Sequence, residues 1–180
     1  MQAITMTDND DNSSAGQAQA QLDGIRALVE RLDHATDGHD IEECDIATEC
    51  ALCTPAGVIE DDCTICHGDG FTWPASDYDG LSFDDYHDDD AAREAIYEDP
   101  LSVEVRSGWT TPGSEMTPED FTILLCTGGP AVRIMGELDK YGEPSRAWIE
   151  HQDWGTPWQE YHGDHGTGAL LTYAAMFFPA

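Results

Sequence analysis

The chain has 180 residues, enough for one ordinary domain or a small domain with a metal-stapled appendage. Its 37 Asp and Glu against 7 Lys and Arg give a formal net charge of −30, a surface that repels nucleic acid and anionic lipid and attracts basic protein surfaces. No apolar run approaches the roughly 18 residues of a membrane span, and residues 1–12 have neither the basic start nor the apolar stretch of a secretory leader, so a cytoplasmic protein is expected.

The charge is unevenly spread. Residues 37–104 hold 21 acids and a single base, Arg93, for a net −20, against −4 for residues 1–36 and −6 for residues 105–180. Adaptation to high salt would acidify the whole surface, so the concentration favours a localised role.

In chain order, residues 1–15 are polar and small-residue rich and read as a disordered tail. Residues 16–43 form an N-terminal helical segment. From Ala18 to His34, Leu22, Ile25, Leu28, Val29 and Leu32 recur at helical spacing, while Asp23, Arg26, Glu30 and Arg31 take the other faces. A cysteine-rich stretch, 44–76, follows, and then an acidic segment, 77–100, in which Asp88 to Glu98 reads as a short helix with acids in its first turn and Pro100 beyond its end. From Leu101 the period changes to two. Leu101–Trp109, Phe121–Thr127, Ala131–Leu138 and Arg146–Trp154 read as strands, with turns at Thr117–Asp120, Gly128–Pro130 and Lys140–Pro144. Gly168–Phe178 reads as a helix closing one face, so that 101–180 is an antiparallel sheet with a C-terminal helix. The expected fold class is α+β: an antiparallel β-meander with flanking helices and a four-cysteine zinc-hairpin insertion.

Five of the six cysteines fall between Cys44 and Cys66. In a reducing compartment such clustering points to metal rather than disulfides. Cys50 and Cys53, then Cys63 and Cys66, are two CxxC pairs with nine residues between them. Each turn aims two thiolates at one point, and two turns complete a tetrahedron around zinc. Neither pair follows the βαβ pattern of a redox CxxC. Cys44 is a spare thiol or an alternate ligand.

The acidic residues Asp77, Asp79, Asp84, Asp85, Asp88, Asp89, Asp90, Glu94 and Glu98 are the candidate partner-binding surface. Acids four apart on a helix lie about 6 Å apart along its axis. Duplex DNA carries a phosphate about every 3.4 Å per strand. Folded carboxylates can therefore approach the charge density of a phosphate backbone, and the bland alternative is a solvated acidic face. The EF-hand register fails, since the fifth position from Asp77 is Leu81 and the sixth from Asp8 is Ser13. His162 and His165, with His151 nearby, lack helix-spaced metal geometry and read as a surface turn. Trp109, Trp148, Trp154 and Trp158 read as core or rim residues of the sheet. No phosphate-binding loop or nucleophile-elbow motif occurs, and no enzyme is expected.

Cys63 to Gly70 spells CxxCxGxG, which resembles the repeat of the zinc region of DnaJ-type co-chaperones. The resemblance covers about residues 50–70 and implies a zinc-stabilised hairpin. The first pair departs from it, because Thr54, Pro55, Ala56 and Gly57 follow Cys53, and no His-Pro-Asp signature accompanies it. Residues 101–158, with the runs SGWTTPG, LLCTGGPAVRI and WIEHQDWGTPW, resemble a family of uncharacterised proteins carried on proteobacterial mobile elements. That implies a setting in which acidic proteins block restriction or CRISPR machinery. The expected function is an acidic, nucleic-acid-mimicking inhibitor of a basic DNA- or RNA-handling protein. The alternative is a zinc-dependent protein–protein adaptor in which the acidic stretch only solubilises.

Overall fold

A computed structural model of the chain describes residues 13–37, 48–51, 53, 63, 65–66, 70–72, 83–163 and 166–179. The side chains of Phe83 and Asp84 are not among them. The architecture is α+β, with one two-stranded and one five-stranded antiparallel sheet. Contacts divide the chain into two units, Met1–Val29 with Ala95–Ala180, and Glu30–Glu94.

Helix α1 spans Ser14–Asp37, so Ser14 and Ala15, at the end of the expected tail, are already helical. Ser13 sets the start: its hydroxyl accepts the Gly16 N–H at 3.0 Å and its carbonyl accepts the Gln17 N–H. The buried stripe is Ala18, Leu22, Ile25, Val29 and Leu32, with Leu28 only half-buried beside it. Further along come α2 (Phe83–Tyr86), which no sequence periodicity marks, and α3 (Asp89–Glu98). Asp88 caps α3 by accepting the Ala91 N–H at 2.7 Å. Within Glu30–Glu94, Arg31 is buried rather than on a polar face. Its guanidinium donates to the Asp85 and Tyr86 carbonyls at 3.0 Å each, tying α1 to the end of α2.

The large sheet belongs to the other unit and runs in the order β3-β4-β5-β6-β7. Its strands are β3 (Ser102–Ser107), β4 (Pro118–Cys126), β5 (Ala131–Leu138), β6 (Pro144–Gln152) and β7 (Gln159–Glu160). Every neighbouring pair is antiparallel. Two bounds differ from the alternation reading. The expected turn Thr117–Asp120 is largely strand, because Pro118 sits at the first strand position, where its missing N–H breaks no ladder bond. The short β7 adds an edge strand that two residues cannot announce by period.

Register puts two apolar rows on one face: Val103–Ile123–Ile134–Ile149 and Val105–Phe121–Gly136–Ala147. Leu22 of α1 and Leu170 of the C-terminal helix α4 (Thr167–Ala175) meet Ala147 and Ile149 on that face. The helix ends three residues before Phe178, the end expected from its apolar run. The chain then tightens to i→i−3 hydrogen bonds, which turn Phe178 onto Phe121 and set Phe177 between Tyr97 and Tyr173. The Tyr173 phenol donates to the Asp99 carboxylate. Burial pushes its pKa far above the usual value, and that carboxylate pushes the same way.

The other face carries charged side chains in cross-strand rows. Arg106, Asp120, Glu137 and Arg146 form one row across four strands, and Arg133 pairs with Glu150 in another at 2.6 Å. The Arg133 guanidinium also lies 4.1 Å from the centre of the Trp158 ring. Trp148 and Trp158 are half-buried rim residues, as expected, whereas Trp109 is fully exposed and Trp154 nearly so.

Gly136 sits mid-strand because a side chain there has no room. A β-carbon would lie 2.1 Å from the Phe121 ring and 2.5 Å from the Arg146 carbonyl. Gly136→Ala is therefore expected to destabilise the protein by about 1–3 kcal/mol through overpacking, read as a lower urea midpoint at unchanged slope.

Candidate metal centre

Four cysteines converge at the end of a two-stranded clamp. Strand β1 (Thr48–Glu49) leads directly into Cys50, and Gly70 leads directly into β2 (Phe71–Thr72). The strands pair Thr48 with Thr72 and Glu49 with Phe71, and the two threonine hydroxyls lie 2.9 Å apart. The Cys50 N–H donates to the Gly70 carbonyl at 2.8 Å, closing the loop 50–70 at its base. Gly70, the second glycine of CxxCxGxG, has φ +77°, where a side chain would cost about 1–2 kcal/mol. The glycine is thus a backbone requirement of the clamp.

Cys50, Cys53, Cys63 and Cys66 are all buried, and none is in a disulfide. Their sulfurs lie within 4.8 Å of one another. Cys50 and Cys63 are 3.8 Å apart, and Cys53 and Cys66 are 3.6 Å apart. A tetrahedron with metal–sulfur bonds of about 2.3 Å has edges of about 3.8 Å, so the donor set fits a four-thiolate ion site. Both short separations join one CxxC turn to the other, so an ion bound here would tie the two turns together.

The second turn already favours the ionised form. Backbone amides of Cys66 and then Ile65 lower the Cys63 thiol from 9.0 to about 7, against the opposing effect of burial. A depressed thiol pKa stabilises the folded turn fully above pH 9, and that stabilisation is lost as pH falls through about 7. Metal ligation requires the same deprotonated sulfurs, so acid opposes it. An ion held by all four sulfurs would have its tetrahedron filled by protein.

The other candidates are placed as follows. Cys44, Asp77, Asp79 and His165 lie outside the described residues. Cys126 is half-buried on β4, and burial raises its thiol pKa. His151 lies on β6 with its Nδ1 2.8 Å from the Ser14 hydroxyl, holding the start of α1 rather than facing an ion. Among the described residues, the four cysteines are the one group of metal-ligating side chains close enough to share an ion. Also among the described residues, no helix is long and apolar enough to cross a membrane.

The acidic segment divides by role. Asp88 is spent as the α3 cap, and Asp89 is paired with Arg93 at 3.0 Å. The Asp85 carbonyl anchors Arg31. Asp90, Glu94 and Glu98 remain exposed at four-residue intervals along α3. The structural duties of Asp88 and Arg31 are what the sequence reading missed. Asp three residues before Ala91 at a helix start was a legible cap signal, whereas nothing local marks Arg31.

The fold and the cluster define an α+β protein with a four-cysteine motif able to hold a metal ion. Comparison with protein-family models, with curated proteins and with solved structures gives no match. The likenesses drawn from the sequence therefore rest on their motifs alone.

With metal bound, a disulfide-exchange thiol reagent at neutral pH is expected to leave all four cluster cysteines unmodified. Cys126, with its raised pKa, reacts slowly. Chelation or acidification should expose four more thiols together, and stepwise exposure of single thiols would contradict a shared ion.

Proposed function

We propose that the chain is a non-catalytic, zinc-stabilised acidic protein that occupies the nucleic-acid groove of a basic DNA- or RNA-handling protein. Zinc is the ion that suits four thiolates at tetrahedral spacing without redox chemistry. The closed sulfur set supports a binding role over an enzymatic one. The observation that carries the partner reading is the row Asp90, Glu94 and Glu98 on α3, exposed and fixed on a regular helix. Successive carboxylates in that row advance about 6 Å, close to every second phosphate of a DNA strand at about 3.4 Å each. A net charge of −30 adds long-range attraction for a basic groove and accelerates encounter with it.

A second reading has its own support. Trp109, Met116, Tyr141 and Trp154 are strongly exposed, as is Ile65 in the second CxxC turn, and large exposed apolar side chains suit a zinc-dependent adaptor contact. In that case the carboxylates only keep the protein soluble.

One measurement tests what both readings share, and a second separates them. Metal analysis of the purified protein is expected to find one zinc per chain. The triple substitution Asp90→Asn, Glu94→Gln and Glu98→Gln should weaken capture of basic nucleic-acid-binding proteins about 3- to 100-fold, at up to 1 kcal/mol per exposed charge pair. Duplex DNA should compete, and binding should fall as salt rises. Capture that survives the triple substitution and high salt but fails on Trp109→Ala would favour the adaptor instead.

A further inference from the structure

Strand β3 is an outer strand of the five-stranded sheet, with β4 on one side and, among the described residues, no strand on the other. Its Val103 and Val105 pair with Ile123 and Phe121, on the face that forms the core. Yet the two valines are 36% and 52% exposed, while Ile123 and Phe121 are essentially inaccessible. Leu101, in the same alternation two residues before Val103, is 58% exposed. Edge strands are commonly defended by proline or by a charge pointing inward on the core face. β3 has neither; its charges, Glu104 and Arg106, lie on the opposite face.

Those two charges are self-complementary. We propose that two copies of this chain join through β3, antiparallel about a twofold axis at Val105, so that their sheets become one. In this register Val105 faces Val105 of the second copy. Glu104 of each copy faces Arg106 of the other, twice by symmetry, and exposed Leu101 comes toward exposed Trp109. The neighbouring registers are worse. Centring on Glu104 sets two carboxylates face to face, and centring between Glu104 and Val105 turns the core face of one copy toward the charged face of the other. Arg106 already ends the row Arg106–Asp120–Glu137–Arg146, so Glu104 from a second copy places an acid on the outer side of that terminal arginine. The match at residues 104–106 precedes the irregularity between Arg106 and Ser107. The pairing also buries the valine margin that the helices leave uncovered.

Each copy carries −30, so long-range repulsion opposes the dimer. Raising salt from about 0.01 M to 0.15 M shortens the screening length from about 30 Å to about 8 Å, and association should tighten. This is opposite in sign to the capture of a basic partner, and the dimer depends on neither zinc chemistry nor the α3 carboxylates.

The test is sedimentation equilibrium of the metal-loaded full chain, with circular dichroism confirming the fold of each variant. A dimer is expected at moderate salt. Glu104→Arg should raise its dissociation constant about tenfold or more, because it opposes two arginines twice. Arg106→Glu should do the same, and the exchange Glu104→Arg with Arg106→Glu should restore the original constant. A monomer at every concentration and salt overturns the proposal. So does a dimer indifferent to Glu104→Arg, or one that the double exchange fails to recover.

Discussion

Mutual repulsion among carboxylates is the constraint that the rest of this structure accommodates. With 37 acids and only 7 bases, no cation is spare, and the seven are used with economy. Arg93, Arg106, Arg133 and Arg146 each lie against a carboxylate, as does Arg26 on Asp23 at 3.1 Å. Arg31 is buried on backbone carbonyls, and the Lys140 ammonium lies 4.6 Å from the centre of the Tyr141 ring. Exposed pairs of this kind contribute little stability singly, about 0–1 kcal/mol. Their effect on the sheet is to set Arg106, Arg133 and Arg146 each against an acid, which offsets part of the general excess there.

Two different kinds of core answer that repulsion. The five-stranded sheet is held by apolar rows, in which Ile123, Ile134 and Ile149 are buried side by side. Burying each such side chain contributes about 1.5–3 kcal/mol. The hairpin 48–72 has no comparable apolar content among its described residues. Its buried cluster consists of four sulfurs. Thiolates at this spacing repel one another, so a divalent ion held there would serve as counter-charge and cross-link together.

After these internal duties, the carboxylates left for an external partner are fewer than the sequence count suggests. Asp88 and Asp89 serve α3 itself, as cap and as ion pair. Asp90, Glu94 and Glu98 point away from it. A helix is the element that can hold such side chains at fixed intervals, which distinguishes a recognisable row of charge from a merely solubilising one.

The sequence by itself determined the four-cysteine cluster, the α+β class and most of the sheet. CxxC spacing constrains both sulfurs of a turn to one point, and strict alternation over Ala131–Leu138 admits one face only. Local period also gave the buried stripe of α1. Tertiary structure alone decided that Arg31 is interior, because its partners are carbonyls more than fifty residues away. It alone decided that Phe178 leaves the helix for Phe121, that Trp109 is bare, and that the core face at β3 is left uncovered. Spacing encodes what neighbours in the chain can do; which surfaces are covered depends on residues brought together by the fold, and no local period records that.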